Sequence, residues 1–401
     1  MNLGAGDLFP HLLSNIPEAR RIRVERALEG LFGRTLQYTA DGLPFVITGD
    51  IPAMWLRDST WQVKPLLKSD HPEVIEFLVN LSKAQVKYFL IDPYANAFNP
   101  EPNGNCWHKD FKDQSPWVFE RKYELDSWAS ILYLARKIHE VYGISDHLDA
   151  KFVEALHLML ELSKKEQNHD RNSYIFKREG NPENDYLSHD GKGSPIGYTG
   201  MIYSAFRPSD DACVYGYLVP SNIFFASELQ KLPQFVASAA SLKIASEIRE
   251  GIEKFAIING VLAFEVDGLG NHLLMDDANT PSLLSLPFLE AMSDQEDLYQ
   301  STRSFVLSDS NPYFYVGKEA AGVGSPHTPS GHIWPIALAM QALTSGEKKF
   351  QLETLDLLER TDAKTGNMHE SFHVNDSSKF TRDWFSWSDM TYVELVLEAY
   401  N

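Results

Sequence analysis

The chain has only two cysteines, Cys106 and Cys213, far apart in its 401 residues. That excludes a disulfide framework and a cysteine-based metal cluster, and both thiols read most simply as small core residues in a reducing compartment. No segment approaches the roughly 20 consecutive apolar residues that a membrane helix needs. Basic residues are also scarce, with 36 Lys and Arg against 55 Asp and Glu and a formal net charge of −19. Such a surface repels nucleic acid and anionic membranes, so neither is expected as a partner, whereas a neutral substrate is compatible with it. The opening MNLGAGDLFPHLL has no basic stretch leading into an uninterrupted apolar run and a small-residue cleavage site, so the expectation is a cytoplasmic protein. A phosphate-cradling glycine loop between strand and helix is missing, and so is the G-x-S-x-G elbow of a serine hydrolase.

Apolar residues make up 43% of the chain, ample for a core. Their spacing is helical from end to end, clearest at Leu125, Trp128, Leu132, Ala135 and Ile138, which return every three to four positions. Similar patterns predict helices near 20–32, 54–68, 72–91, 149–166, 218–231, 233–256, 281–293, 295–307, 332–344, 348–360 and 387–399, about a dozen with the one near 124–142. Pro72, two residues after Asp70, and Pro281, after Thr280, mark helix starts. Strand-like runs are few and short, near 173–178, 258–266 and 314–316. No Pro/Ser/Gly-rich linker divides the chain, so residues 1–401 are expected to form a single domain, with 1–20 as a peripheral N-terminal extension. Three long polar loops, 92–121, 179–211 and 361–383, hold Trp107, His108, Tyr186, Tyr198, Arg207, His369 and Glu370. With Trp384 and Trp387 just beyond, their contents resemble the lining of one pocket at one end of a helical scaffold.

The stretch TGDIPAMWLRDSTWQ, Thr48 to Gln62, crowds Asp50, Arg57 and Asp58 among Trp55 and Trp61. A pyranose offers a C–H face that stacks on indole and hydroxyls that take paired hydrogen bonds from planar charged groups, which this combination supplies. In FRPSDDACVYG, Asp210 and Asp211 follow Ser209 beside Arg207. Ser-Asp-Asp is also good chemistry for a helix entrance, but two adjacent carboxylates can repel each other until one holds a proton at neutral pH. In GNMHESFHVND, Glu370 lies between His369 and His373, a literal H-E-x-x-H. Glu124 and Asp126 in KYELDSWAS, Asp276, Asp277 and Asn279 in LLMDDANTPSLL, and His327, His332 and Trp334 in SPHTPSGHIWP fall at loop-to-helix boundaries. Each taken singly fits a helix cap, yet helix entrances sharing one rim would bring them together around a central depression.

Taken together, TGDIPAMWLRDSTWQ, YELDSWA, FRPSDDA, MDDANTPSLLSLP and HESFH resemble glycoside hydrolase family 125, the exo-acting α-1,6-mannosidases, over residues 20 to 400. The resemblance implies an all-α (α/α)6 barrel, no metal or other cofactor, and an inverting mechanism acting on terminal α-1,6-linked mannose of mannosides or N-glycan fragments. It places the general acid on Asp210 or Asp211 and the general base on Glu370. It also makes Asp50, Trp55, Arg57, Asp58, His108, Glu124, Asp126, Arg207, Asp277, Asn279, His327, His369 and Trp387 candidates for holding a small carbohydrate. No pattern specifies an oligomeric state. Two rivals stay open: a zinc hydrolase built on His369, Glu370 and His373 with Glu394 as a third ligand, and a non-catalytic carbohydrate-binding barrel. The first needs a helix to present both imidazoles, and a segment flanked by Gly366, Asn367, Asn375 and Asp376 offers little.

Overall fold

A computed structural model describes residues 3–110, 113–169, 174–178 and 185–401. In chain order its helices are Ala5–Leu8 (α1), Glu18–Gly30 (α2), Leu56–Trp61 (α3), Pro72–Ile91 (α4), Leu125–Tyr142 (α5), Ala150–Glu166 (α6), the single turn Ser188–Gly191 (α7), Val219–Lys231 (α8), Ala239–Phe255 (α9), Asp297–Val306 (α10), Pro335–Leu343 (α11), Lys348–Arg360 (α12) and Ser386–Ala399 (α13).

Apart from the short α1 and α7, they are of two kinds, and the difference is written in their residues. In α12 the buried positions are Gln351, Thr354, Leu355 and Leu358, and in α9 they are Ser241, Ile244, Ala245, Ile248, Gly251 and Ile252. One stripe at helical spacing faces inward and charged residues cover the rest, as on a helix with one face in water. By contrast, every residue of α3 is buried, and in α13 only Glu398 is exposed. Such helices have protein on all sides. Accordingly α3 packs between α5 and α13, α5 against α8, and α11 against α13, while α4 lies outside α5, α9 outside α8, α2 outside α13, and α12 outside α11 and α13. This inner ring wrapped by an outer ring is an (α/α)6 barrel.

The sixth inner position is the exception to the expected helices. Residues 283–290 form consecutive turns instead of a helix. Pro281 and Pro287 each lack a backbone N–H, and the Asp276 carboxylate takes the N–H groups of Leu283 and Leu284 at 2.8 and 3.0 Å. Ser282 and Ser285 exchange hydrogen bonds at 2.8 and 3.1 Å, which fixes the turn. The segment still plugs the ring: Phe288 meets Trp61 at 5.8 Å, and the Tyr299 hydroxyl of α10 donates to the Leu284 carbonyl.

Strands are short ribbons leading into inner helices. Met54–Trp55, paired through Ala97–Phe98 to Val118–Glu120, runs into α3; Tyr217–Leu218 runs into α8; His332–Ile333, paired to Ser371–His373, leads to α11. The strand expected near 314–316 is present, and that near 258–266 is three two-residue pieces. Residues 174–178 are irregular, and 173 lies outside the described residues. At the N-terminus Ala5, Leu8, Phe9 and Ile16 are buried in the same core as α2. Among the described residues no helix is long and apolar enough to cross a membrane.

Candidate functional site

Where the chain enters the inner helices, a pocket opens, lined mostly by polar and aromatic side chains. Trp55, Arg57 and Asp58 reach it from the start of α3, Pro208 to Asp210 from a turn, Asn279 and His327 from loops, Trp334 from the entrance of α11, Glu370 and Arg382 from a hairpin, and Phe385 from the entrance of α13. Residues more than 300 positions apart thus share one wall, because the ring brings every helix entrance to the same end.

The FRPSDD segment is not a helix entrance. Phe206 bridges Ala212, Arg207 N–H donates to the Asp211 carbonyl at 2.8 Å, and Asp210 N–H to the Arg207 carbonyl at 2.9 Å, closing a tight turn. Asp210 sits in it at φ +66°, a left-handed conformation that costs free energy for a residue with a Cβ. Three outside groups over-determine it: Asn279 Nδ2 donates to the Pro208 carbonyl at 2.7 Å, Lys122 Nζ to the Asp210 carbonyl at 2.7 Å, and Ser209 Oγ to Asp277 Oδ2 at 2.9 Å. The turn separates the adjacent carboxylates. Asp210 faces the pocket with its side chain 28% exposed. Asp211 is buried and accepts from the His327 ring at 3.0 Å, on the side of a second cavity that it shares with Arg207 and Tyr186.

Arg57 is the charge hub. It is 2% exposed, with Glu124 at 2.5 Å, Asp126 at 3.2 Å, and Asp58 and Asp210 each at 3.5 Å. Glu124 occupies the cap position of α5 and Asp126 its first turn, yet Glu124 makes no side-chain cap bond. Both carboxylates go to Arg57 instead. Asn96 Nδ2 joins the cluster, 3.1 Å from Glu124 and 3.4 Å from Asp210. Four carboxylates around one guanidinium in a dry setting cannot all stay charged. Burial pushes Glu124 well above the usual carboxylate range, Arg57 offsetting part of this, and pushes Asp126 up to about 6. Burial also raises Asp210, but Arg57 and Lys122, with a hydrogen bond from Glu124, outweigh it and hold Asp210 low. Glu124 therefore favours its protonated form and Asp210 its charged form, with a hydrogen bond between the two carboxyl groups.

Glu370, on the same pocket wall, immediately precedes the strand Ser371–His373, its carboxylate 3.6 Å from Arg382 Nη1. Arg382, at φ +50°, also holds Asp50 at the rim, Nε to Oδ1 3.1 Å. Behind them His369 Nδ1 lies 3.0 Å from the Arg382 carbonyl, with the ring stacked on Phe380 at 3.7 Å. Asp389 of α13 takes Met368 N–H at 2.6 Å and the Trp384 indole at 2.9 Å, tying the loop down. This hairpin is not the helix a zinc motif needs. His369 is turned away from the pocket, the His373 ring pairs with His332 at 5.4 Å, and Glu394 is held by Lys64 at 2.7 Å. Among the described residues no three His, Cys, Asp or Glu side chains converge as metal ligands.

Of the residues singled out from the sequence, Trp55, Arg57, Asp58, Asp210, Asn279, His327, Trp334 and Glu370 line the pocket. Glu124, Asp126, Asp277, Arg207, Asp211 and His369 stand behind those that do. Trp387 is fully buried, its ring 6.0 Å from the Arg57 guanidinium, and backs that residue without reaching the cavity. His108 is exposed outside the pocket. Sequence reasoning passed over Arg382, Asn96, Lys122 and Asp389. Only Arg382 left a trace, since TRDWFSW crowds Arg, Asp and Trp as LRDSTW does.

Comparison with known proteins decides the family. Residues 20–397 match the metal-independent alpha-mannosidases, glycoside hydrolase family 125. The chain belongs to this family. Family 125 membership makes it an alpha-mannosidase and, the family being metal-independent, disfavours the zinc alternative, in agreement with the hairpin geometry. A Schizosaccharomyces pombe relative, the meiotically up-regulated gene 157 protein, is 36% identical over 387 residues, covering 88% of this chain and 76% of that one. A Streptococcus pneumoniae family member, solved as a non-productive substrate complex with alpha-1,6-mannobiose, is 42% identical with a TM-score of 0.91, covering 95% of this chain and 93% of that one. A wild-type glycosidase at 15% identity and TM-score 0.55, covering 98% of each chain, shares the fold alone.

Proposed function

We propose that this protein removes terminal α-1,6-linked mannose from the non-reducing end of mannosides or N-glycan fragments with inversion at C1, Asp210 acting as general acid and Glu370 as general base. The supporting observation is that these two carboxylates face one pocket from different loops, while Asp211 is turned away to His327. Exo action is carried over with the family, and the position of the pocket at one end of the barrel is compatible with it. The linkage is carried over from the pneumococcal relative, whose complex contains alpha-1,6-mannobiose in a work on processing of N-linked glycans.

In this reading Trp55 stacks on the sugar's C–H face, and Arg57, Asp58 and Asn279 hold its hydroxyls. Asp210 gives its proton to the glycosidic oxygen as the bond breaks, and Glu370 takes a proton from a water attacking C1 on the opposite face. In the same reading the proton reaches Asp210 from Glu124, whose burial favours the protonated form and which is hydrogen-bonded to Asp210. Inversion requires carboxyl groups about 6.5–9.5 Å apart, leaving room for the water. Incubation with α-1,6-mannobiose, followed by NMR, is expected to show β-mannose first; α-mannose first, or no release, overturns the reading.

A further inference from the structure

Trp107 is 58% exposed, an unusual position for the most aromatic of side chains on a surface that is otherwise strongly charged. It is not an isolated flap. Its ring meets Phe119 edge-on at 5.5 Å, and Phe119 meets Trp55 at 5.8 Å, so three aromatic rings run from the surface to the pocket wall. Phe119 and Trp55 are each 4% exposed, whereas Trp107 presents most of its ring to solvent outside the pocket.

The loop that carries it is braced on both flanks. Asn99 Nδ2 donates to the carbonyls of Asn105 and Pro116 at 2.9 and 3.1 Å, and the Asp110 carboxylate takes Arg121 N–H at 2.9 Å and Arg178 Nη2 at 2.8 Å. Arg178 also reaches Glu120 and Asp185, and Lys122, paired with Asp185 at 2.9 Å, donates to the Asp210 carbonyl. The Trp107 loop is thus continuous with the scaffold of the proton donor through Arg178, Asp185 and Lys122. A leaving group departs on the side of the group that protonates it. The sugars remaining after cleavage therefore extend over the Trp107 side.

The geometry points to Trp107 as a stacking platform for a sugar of the leaving glycan beyond the one joined to the scissile bond. Two ring contacts separate it from Trp55, the reach of a further saccharide unit and not of the bond being cut. This rests on the proposed assignment of Asp210 as the acid. It makes the enzyme a selector of chain length: a disaccharide ends before the platform, and a trisaccharide lies on it.

The test compares kcat/KM for α-1,6-mannobiose and α-1,6-mannotriose in the wild type, Trp107→Ala and Trp107→Phe. The expected result is a loss of about five- to tenfold on mannotriose in Trp107→Ala, mostly in KM, partial retention in Trp107→Phe, and mannobiose within twofold of wild type in both. Unchanged mannobiose turnover also reports an intact fold. Equal losses on both substrates, or none on mannotriose, overturn the inference. Failure of the wild type to cleave either substrate would instead count against the proposed function, so the two outcomes are distinct.

Discussion

The His327–Asp211 pair gives the protein a pH dependence whose sign and size follow from its surroundings. Burial pulls the imidazole pKa down, but the hydrogen bond and charge of Asp211, with Glu370 and Asp210 nearby, more than offset this and push it up to about 9. The ordinary value, expected in the unfolded chain, is 6.5. A folded pKa above the unfolded one means stabilisation that is fully present below pH 6.5 and lost as the pH rises through about 9. At about 1.36 kcal/mol per pH unit the rise amounts to about 3 kcal/mol. The His327 side chain is 37% exposed, however, and solvent screening brings the expected contribution down to about 1 kcal/mol. Urea unfolding of the wild type and His327→Gln at pH 6 and pH 10 isolates it, because other groups titrate alike in both. The wild type should be more stable by about 1 kcal/mol at pH 6 and by almost nothing at pH 10. An advantage that stays constant across that range, or grows with pH, refutes the assignment of a charged His327.

Three further outcomes are expected. Glu370→Gln and Asp210→Asn should each lower kcat by about 100- to 10,000-fold with unchanged circular dichroism. Asp211→Asn should cost less activity while returning His327 towards its ordinary titration by NMR, since it removes the partner of His327 and not the proposed donor, Asp210. Arg57→Met should lower unfolding free energy by about 3–5 kcal/mol, because it strands Glu124, Asp126 and Asp58 as buried carboxylates without their cation; a thermal melt within a degree of wild type would contradict the hub.

The one-faced outer helices were readable because water on one side enforces a stripe: Ile244, Ala245 and Ile248 in α9 could face only inward. The fully buried inner helices were legible as apolar segments with helical length, but nothing local in 281–290 warned that Asp276 would capture two of its N–H groups. The motif residues themselves were also recognisable, since Trp, Arg and Asp crowd at Thr48 to Gln62 in a way few cores require. Their division of labour was not. Asp210 and Asp211 are identical neighbours in the chain, and the left-handed turn alone sends one to the pocket and the other to His327. Likewise His369, Glu370 and His373 spell a zinc motif in one dimension, and only pairing of Ser371–His373 as a strand turns the imidazoles away from a shared ligand. Composition and periodicity are properties of short stretches, and they determined the succession of helices, while the barrel they close into was implied by the family resemblance. Which carboxylate holds a proton depends on charges such as Arg57 and Lys122, brought from distant positions, and that was decided by the closed ring.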